Sequence, residues 1–379
     1  MILTEDQIMI RDAARDFAQE QLVPHADAWA LQGAVPMDVL QAMGELGFMG
    51  MTVPEEWDGA GTDYVSYALA LEEIAAGDGA TSTIMSVNNA PVCAALLKNG
   101  SEEQKQALLK PLARGEMIGA FCLTEAQAGS DASALKTKAV CKDGHYTLNG
   151  SKQFITSGQI AGAALIFAVT DAGAGKKGIT AFMVPTDLSG YKVTRVEEKM
   201  GQKASDTCSL SFEDMQVPEK YRLGEEGEGY AIALANLEQG RIGIAAQSVG
   251  MARAALEYAI AYANERISFG KPIIQHQAVG FRLADMATKL EAARQLVLSA
   301  AALRDAGRPC LKEACMAKLF ASEAAEEICS AALQTLGGYG YLSDFPVERI
   351  ARDVRVCQIY EGTSDIQRLV ISRSLTESK

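Results

Sequence analysis

The prolines divide the C-terminal part of this chain. None occurs between Pro218 and Pro272, between Pro272 and Pro309, or between Pro309 and Pro346. A proline inside a helix removes a hydrogen bond and clashes with the preceding turn, at a cost of about 3 kcal/mol. Each proline-free interval is rich in alanine and leucine, with apolar residues recurring at i, i+3 and i+4. The intervals therefore predict three long helices. A further helix is predicted over 364–376, where Ser364 and Gln367 form an S-x-x-Q capping box. Together they predict an antiparallel four-helix bundle over 226–379.

The first segment, 1–117, also reads as helices. Thr4 with Gln7 and Ser101 with Gln104 form capping boxes, and "MDVLQAMGELG" predicts a helix ending at Gly47. Pro91 and Pro111 predict interruptions. From 118 to 225 the texture changes to short apolar runs separated by turn residues. In "AVCKDGHYTLNG", Asp143-Gly144 predicts a hairpin between two strands. The order is α, then β, then α: an α+β chain with a small all-β domain at its centre.

Composition narrows the function. The net charge is −13, which argues against nucleic acid and anionic membranes, since both are bound mainly by neutralising phosphates with Lys and Arg. No stretch reaches the roughly 18 uninterrupted apolar residues of a membrane span. The N-terminus lacks a signal-peptide pattern, and eight cysteines without a C-x-x-C pair read as reduced core residues of a cytoplasmic protein. His25, His145 and His276 show no metal-ligand spacing, so no metal is expected. "GAGKKG" (173–178) lacks the spacing and hydroxyl of a phosphate loop and reads as a hairpin turn. "GEEGEG" (224–229) is too acidic to hold phosphate and reads as a linker.

Other stretches carry chemistry. In "AFCLTEAQAGSDAS" (120–133), an apolar strand runs into small residues and hydroxyls, which allow a backbone to approach a ligand. In "LNGSKQFITSGQ" (148–159), an Asn-Gly turn precedes Phe154 and Thr156, which share a face on a strand. "LEQGRIG" makes Glu238 and Arg241 helix neighbours, "ERISFGKPI" sets Arg266 at a helix end, and "QTLGGYGYLSDFP" crowds glycines at another. In "QIYEGTSDIQR", the carboxylate of Glu361 sits just ahead of the last predicted helix.

In this order, "TEAQAGSD", "NGSKQFITSG", "EQGRIG", "ERISFGKPI", "QTLGGYGY", "RDVRV" and "IYEGTSDIQR" resemble the acyl-CoA dehydrogenase family of flavoproteins over essentially the whole chain. The resemblance implies an N-terminal helical domain (1–117), a β-barrel-like domain facing the flavin (118–225) and a C-terminal four-helix bundle (226–379). It implies FAD as cofactor, usually a homotetramer, and α,β-dehydrogenation of an acyl-CoA thioester with electrons passing to an electron-transferring flavoprotein. It further implies that Phe121, Leu123, Thr124, Gly129 and Ser130 line the flavin and its phosphates, and that Phe154 and Thr156 lie against the ring. Arg266, Phe269, Gln277, Gln334, Gly337 and Gly338 reach FAD across a subunit boundary in this reading, and Thr363 and Asp365 bind it at the last helix. Ser130, Glu238, Arg241, Tyr360 and Gly362 fall to the acyl-CoA.

The same resemblance assigns proton abstraction to Glu361. The α-hydrogen of a thioester is a poor acid, so its removal needs a positioned carboxylate and prepositioned donors for the enolate. Some members carry the glutamate immediately before the arginine matching Arg241, where this chain has Gly240. Two departures stand out: Ala126 and Gln127 replace the usual proline after Thr-Glu, and Glu238 replaces an aspartate. The texture is most like short-chain members. The alternatives are a same-fold oxidase, a dehydrogenase of branched or aryl short acyl groups, and, from another class, a non-catalytic helical scaffold.

Overall fold

The computed structural model describes residues 1–377. The capping box at Thr4 and Gln7 forms and starts α1 (Glu5–Phe17). It is followed by α2 (Ala26–Gln32), α3 (Met37–Glu45), α4 (Tyr64–Gly77), α5 (Gly79–Val87), α6 (Ala94–Asn99), α7 (Glu102–Gln104) and α8 (Lys110–Ala113). Pro91 lies in a π-helical turn between α5 and α6, and Pro111 at the first turn of α8. The predicted interruptions are therefore local windings within continuous helical segments. α4 is apolar nearly all round and is buried, packing on α1 and on two helices of the C-terminal bundle. Its two acids are each paired: Glu72 with Arg253 and Arg294, and Glu73 with Arg15 and Arg253.

The middle segment contributes β1 (Gly119–Cys122), β2 (Lys138–Lys142), β3 (His145–Thr156), β4 (Ala163–Val169), β5 (Ile179–Pro185), β6 (Tyr191–Val196), β7 (Thr207–Pro218) and β8 (Arg222–Leu223). Their order is β6-β7-β3-β2-β4-β5-β8, with β1 added in parallel to β4. The expected barrel-like domain is thus an open sheet: its ends, β6 and β8, do not pair among the described residues. Asp143 (φ 49°) and Gly144 (φ 76°) make the predicted hairpin, with Lys142 opposite His145. The Asn149-Gly150 turn does not form. Both residues lie inside β3 at a bulge, and a Cβ on Gly150 would meet the Thr137 Oγ1 at 2.5 Å, so glycine there serves close strand approach.

β4 is buried on both faces, which explains its unbroken apolar sequence. Ala163, Leu165 and Phe167 face the N-terminal helices, whereas Ala164, Ile166 and Ala168 pack against β2, β3 and β7. The last segment holds α9 (Gly229–Glu265), a two-stranded turn of β9 (Ile267–Ser268) and β10 (Lys271–Pro272), then α10 (Gln277–Asp305) and α11 (Leu311–Leu336). A short α12 (Pro346–Val354) precedes α13 (Ser364–Glu377). The three long helices are those set out by the prolines. α4 completes their packing, so N- and C-terminal helices share one core. Seven of the eight cysteines are buried, but Cys141 is exposed on β2, contrary to the expectation that all serve the core.

Candidate active site

Glu361 lies between α12 and α13 with its backbone in the left-handed region (φ 50°), followed by Gly362 at φ 90°. For a residue with a Cβ this conformation costs about 1–2 kcal/mol, so something must hold it. Two buried side chains do. Lys318 of α11, 0% exposed, donates from Nζ to the carbonyls on either side, Tyr360 O at 3.0 Å and Gly362 O at 2.6 Å. Gln367 of α13 donates to Gly362 O at 2.8 Å and Glu361 O at 3.5 Å. The expected capping box at Ser364 is not made. Thr363 caps α13 by accepting from Ile366 N, so Ser364 falls inside the helix, and neither its hydroxyl nor Gln367 Oε1 has a partner among the described residues.

The Glu361 carboxylate rests on Gly240 of α9. A Cβ at Gly240 would stand 1.9 Å from Oε2, so a glycine there is what admits the carboxylate. Oε2 is buried without a hydrogen-bond partner among the described residues. Burial pushes the carboxyl up to about 7, against the opposing pull of Lys318 and Arg241. Arg241 is buried and its Nε is likewise unpartnered. One turn along α9, a Cβ at Gly243 would meet Ser86 Oγ at 2.8 Å and Tyr67 Oη at 3.0 Å, two buried hydroxyls that face each other. An unpartnered buried atom costs about 1–3 kcal/mol in a finished core, and two such atoms, on Glu361 and Arg241, mark a place suited to a polar ligand rather than to stability.

Around this centre the other candidates take up different positions. Glu238 faces Arg304 at 3.9 Å, and Arg304 lies 4.9 Å over the Tyr64 ring. The Tyr360 phenol points inward, donating to Gln247 at 2.5 Å, so toward a ligand Tyr360 offers backbone only. At the end of β1, Leu123, Thr124 and the loop to Ser130 are anchored by a buried ion pair, Lys152 to Glu125 at 2.8 Å. Lys152 also donates to Leu123 O, and Glu125 accepts from Lys136 N and Thr137 N. Burial opposes ionisation of Glu125, but Lys152 and these N–H groups outweigh it and hold the carboxyl at about 2. Phe121 is half-buried and packs its ring on Phe167 at the edge of the core. Phe154 is 61% exposed at a bulge with φ 60°.

Most of the chain matches three successive family descriptions: acyl-CoA dehydrogenase N-terminal domain over residues 4–116, middle domain over 120–215 and C-terminal domain over 227–376. The chain belongs to the acyl-CoA dehydrogenase family. It is 47% identical over 376 residues to the short-chain specific mitochondrial acyl-CoA dehydrogenase of Rattus norvegicus, covering 99% of this chain and 91% of that one. The butyryl-CoA dehydrogenase structure from Megasphaera elsdenii superposes with a TM-score of 0.97 at 40% identity, over 100% of both chains. A chain in the structure reported for the electron transferring flavoprotein of Acidaminococcus fermentans superposes at 0.98 with 46% identity, again over 100% of both.

Acyl-CoA dehydrogenases are FAD-dependent oxidoreductases, and the residues here suit that group. The Ser130 and Thr156 hydroxyls make no hydrogen bond among the described residues, Phe154 presents a ring, and a Cβ at Gly129 would meet nothing within 4 Å. A second surface of this acyl-CoA dehydrogenase gathers at one end of the bundle. Arg266 lies 5.5 Å over the Tyr339 ring, beside Gly337 and Gly338, which are open to close approach. Phe269 is 95% exposed at the β9–β10 tip, and Gln277 and Gln334 are exposed on α10 and α11. No hydrogen bond, ion pair or ring contact joins this surface to Phe154 or Thr156 among the described residues. Asp365 sits on the surface of α13, 3.6 Å from Arg368.

Sequence reasoning missed Lys318, Tyr67, Ser86 and the Glu125–Lys152 pair, and it gave Gly240 and Gln367 other roles. One signal was present. Lys318 shares the apolar stripe of Ala314, Ala321 and Ala325, all buried, where a charge has no place without a task. Among the described residues no metal-binding cluster occurs, and no helix is long and apolar enough to cross a membrane.

Proposed function

We propose that this enzyme dehydrogenates a short-chain acyl-CoA thioester to the trans-2-enoyl-CoA, with Glu361 as the base. The observation that carries the reading is the Glu361 carboxylate: buried, without a partner at Oε2, seated on Gly240 and tuned to about 7. A base is most effective when its pKa lies near the working pH. In the reaction Glu361 takes the α-proton as the Cα–Cβ double bond forms. Bound FAD supplies the acceptor for the hydride equivalent leaving the β-carbon. The Glu361 backbone N–H, in a loop fixed by Lys318 and Gln367, is a prepositioned donor for the enolate oxygen.

Arg241, Glu238, Ser130, Tyr360 and Gly362 are assigned to the acyl-CoA, with Arg241 the main charged contact. Phe121, Leu123, Thr124, Gly129, Ser130, Phe154, Thr156, Thr363 and Asp365 are assigned to FAD. The bundle-end group, Arg266, Phe269, Gln277, Gln334, Gly337 and Gly338, is assigned to the FAD of a neighbouring subunit. That no contact among the described residues joins it to Phe154 within one chain supports that assignment, and the homotetramer is the assembly that the family resemblance implies. The short-chain preference is supported by the rat and Megasphaera relatives, and the electron-transferring flavoprotein as acceptor by the Acidaminococcus structure. The three-part division at 117 and 225 and a cytoplasmic location complete the reading.

Gly240 also accounts for which acid is used. A glutamate at 240 would start from the space that the Glu361 carboxylate occupies, so the two placements of the base exclude each other. The test is anaerobic bleaching of the purified yellow protein by a series of straight, branched and aryl acyl-CoA thioesters. The reading predicts the highest kcat/KM for butyryl-CoA or a close neighbour, since one methylene is worth about 1–3 kcal/mol in a fitted pocket. Bleaching only by long or aryl thioesters, or rapid reoxidation by oxygen, contradicts it.

A further inference from the structure

Lys318 is a buried cation with no acidic partner within salt-bridge distance among the described residues. Taking an ammonium out of water without an ion pair is costly, and lysines so placed serve a purpose. Among the described residues its two hydrogen bonds go to the carbonyls of Tyr360 and Gly362. These carbonyls bracket the one residue of the loop that bears the carboxylate and a left-handed backbone. Gln367 reinforces the Gly362 side only, apart from a long contact to Glu361 O, so the Tyr360 carbonyl depends on Lys318.

We propose that Lys318 is the positioning residue of the catalytic base, clamping the loop so that the Glu361 carboxylate is held on Gly240. The inference rests on the reading of Glu361 as the base. It has two physical parts. The clamp offsets the strain of the left-handed backbone, and the ammonium charge favours the ionised carboxylate that proton abstraction needs. Both groups feel the enclosure: burial lowers Lys318 to about 8, and burial raises Glu361 to about 7 while Lys318 pulls it down. The other titratable or charged groups facing the pair are Arg241 of α9, Cys315 of α11, Cys357 of the turn before the loop and Tyr67 of α4. Among these only Arg241 is a second cation, so removal of Lys318 leaves Glu361 with one.

The test uses the FAD-loaded enzyme with Lys318→Met, which keeps the stem and removes donors and charge. Amide exchange over residues 360–363 is expected to quicken at least about tenfold as the loop loses its clamp. The acid limb of kcat/KM for flavin bleaching is expected to move up by about one pH unit, since losing a nearby opposite charge raises a carboxyl pKa. kcat is expected to fall about 100-fold, with little change in KM. Wild-type exchange and an unmoved limb overturn the proposal, as does a loss accounted for wholly by weaker FAD or substrate binding. If K318M yields no holoenzyme, Lys318→Arg is read instead. It retains charge on a planar fork that seats two carbonyls differently, so faster exchange and lower kcat are expected, and wild-type values overturn the idea. Glu361→Gln run in parallel separates the two claims: normal bleaching by E361Q removes the base reading itself, whereas an inert E361Q beside a wild-type-like K318M removes only the role of Lys318.

Discussion

The seat of the carboxylate is the most specific element of this account, and Gly240→Ala tests it with one methyl group. A Cβ built at Gly240 lies 1.9 Å from Glu361 Oε2 and 2.9 Å from Cδ. Ordinary contact begins near 3.4 Å, so the oxygen must retreat by about 1.5 Å. What it meets is the end of a flexible side chain rather than backbone, so the fold can absorb the change. Alanine is also a better helix former than glycine by about 0.5–1 kcal/mol. The variant is therefore expected to melt at the wild-type temperature or slightly above it, with FAD retained. Its reaction is expected to suffer, because a displacement of about 1 Å at a reacting group can cost about 100-fold, equivalent to about 2.7 kcal/mol of barrier. The assay is single-turnover bleaching by butyryl-CoA under anaerobic conditions, beside a thermal melt. Wild-type bleaching in G240A refutes the seat. A large fall in melting temperature refutes the claim that only the carboxylate yields.

Three further outcomes are expected. Because the Glu361 carboxyl is raised to about 7 and must be ionised to act, kcat/KM should climb as pH rises through about 7; a limb near 4.5, the ordinary carboxyl value, contradicts this. Lys152→Met strands Glu125 as a buried, unpaired charge, so it should cost about 3–5 kcal/mol of stability and release FAD on gel filtration; unchanged melting and flavin content tell against an anchoring role. Arg241→Ala removes a charge-assisted contact worth about 1.5–3 kcal/mol and should raise KM for acyl-CoA roughly 10- to 150-fold; an unchanged KM excludes Arg241 from the substrate site.

What the sequence made legible was whatever depends on neighbours in the chain. Proline spacing laid out the long helices, the boxes at Thr4 and Ser101 started theirs, and Asp143-Gly144 made its hairpin. Glu361 stood out because the motifs in register around it resemble a family with a known reaction. What failed depended on register or on distant partners. Gln367 had the spacing of a capping box with Ser364, yet the helix starts one residue earlier: Thr363 caps it and accepts from Ile366 N, and Gln367 N bonds Thr363 O, which puts the pair out of register. Asn149-Gly150 had the chemistry of a turn, yet pairing with β7 on either side of the bulge keeps the strand running. Gly240 reads in isolation as a weak point in a helix, and Lys318 as a stray charge. Only the fold shows that both face the same loop, one giving its carboxylate room and the other holding its backbone.

The central claim is that Glu361 removes the α-proton, and the Glu361→Gln holoenzyme tests it most directly. Glutamine keeps the size of the side chain and removes its basicity. With FAD and butyryl-CoA bound as in the wild type, mixing in the absence of oxygen is predicted to leave the flavin absorbance unbleached. Bleaching at a near wild-type rate would contradict the account, placing the base elsewhere than on the residue seated against Gly240.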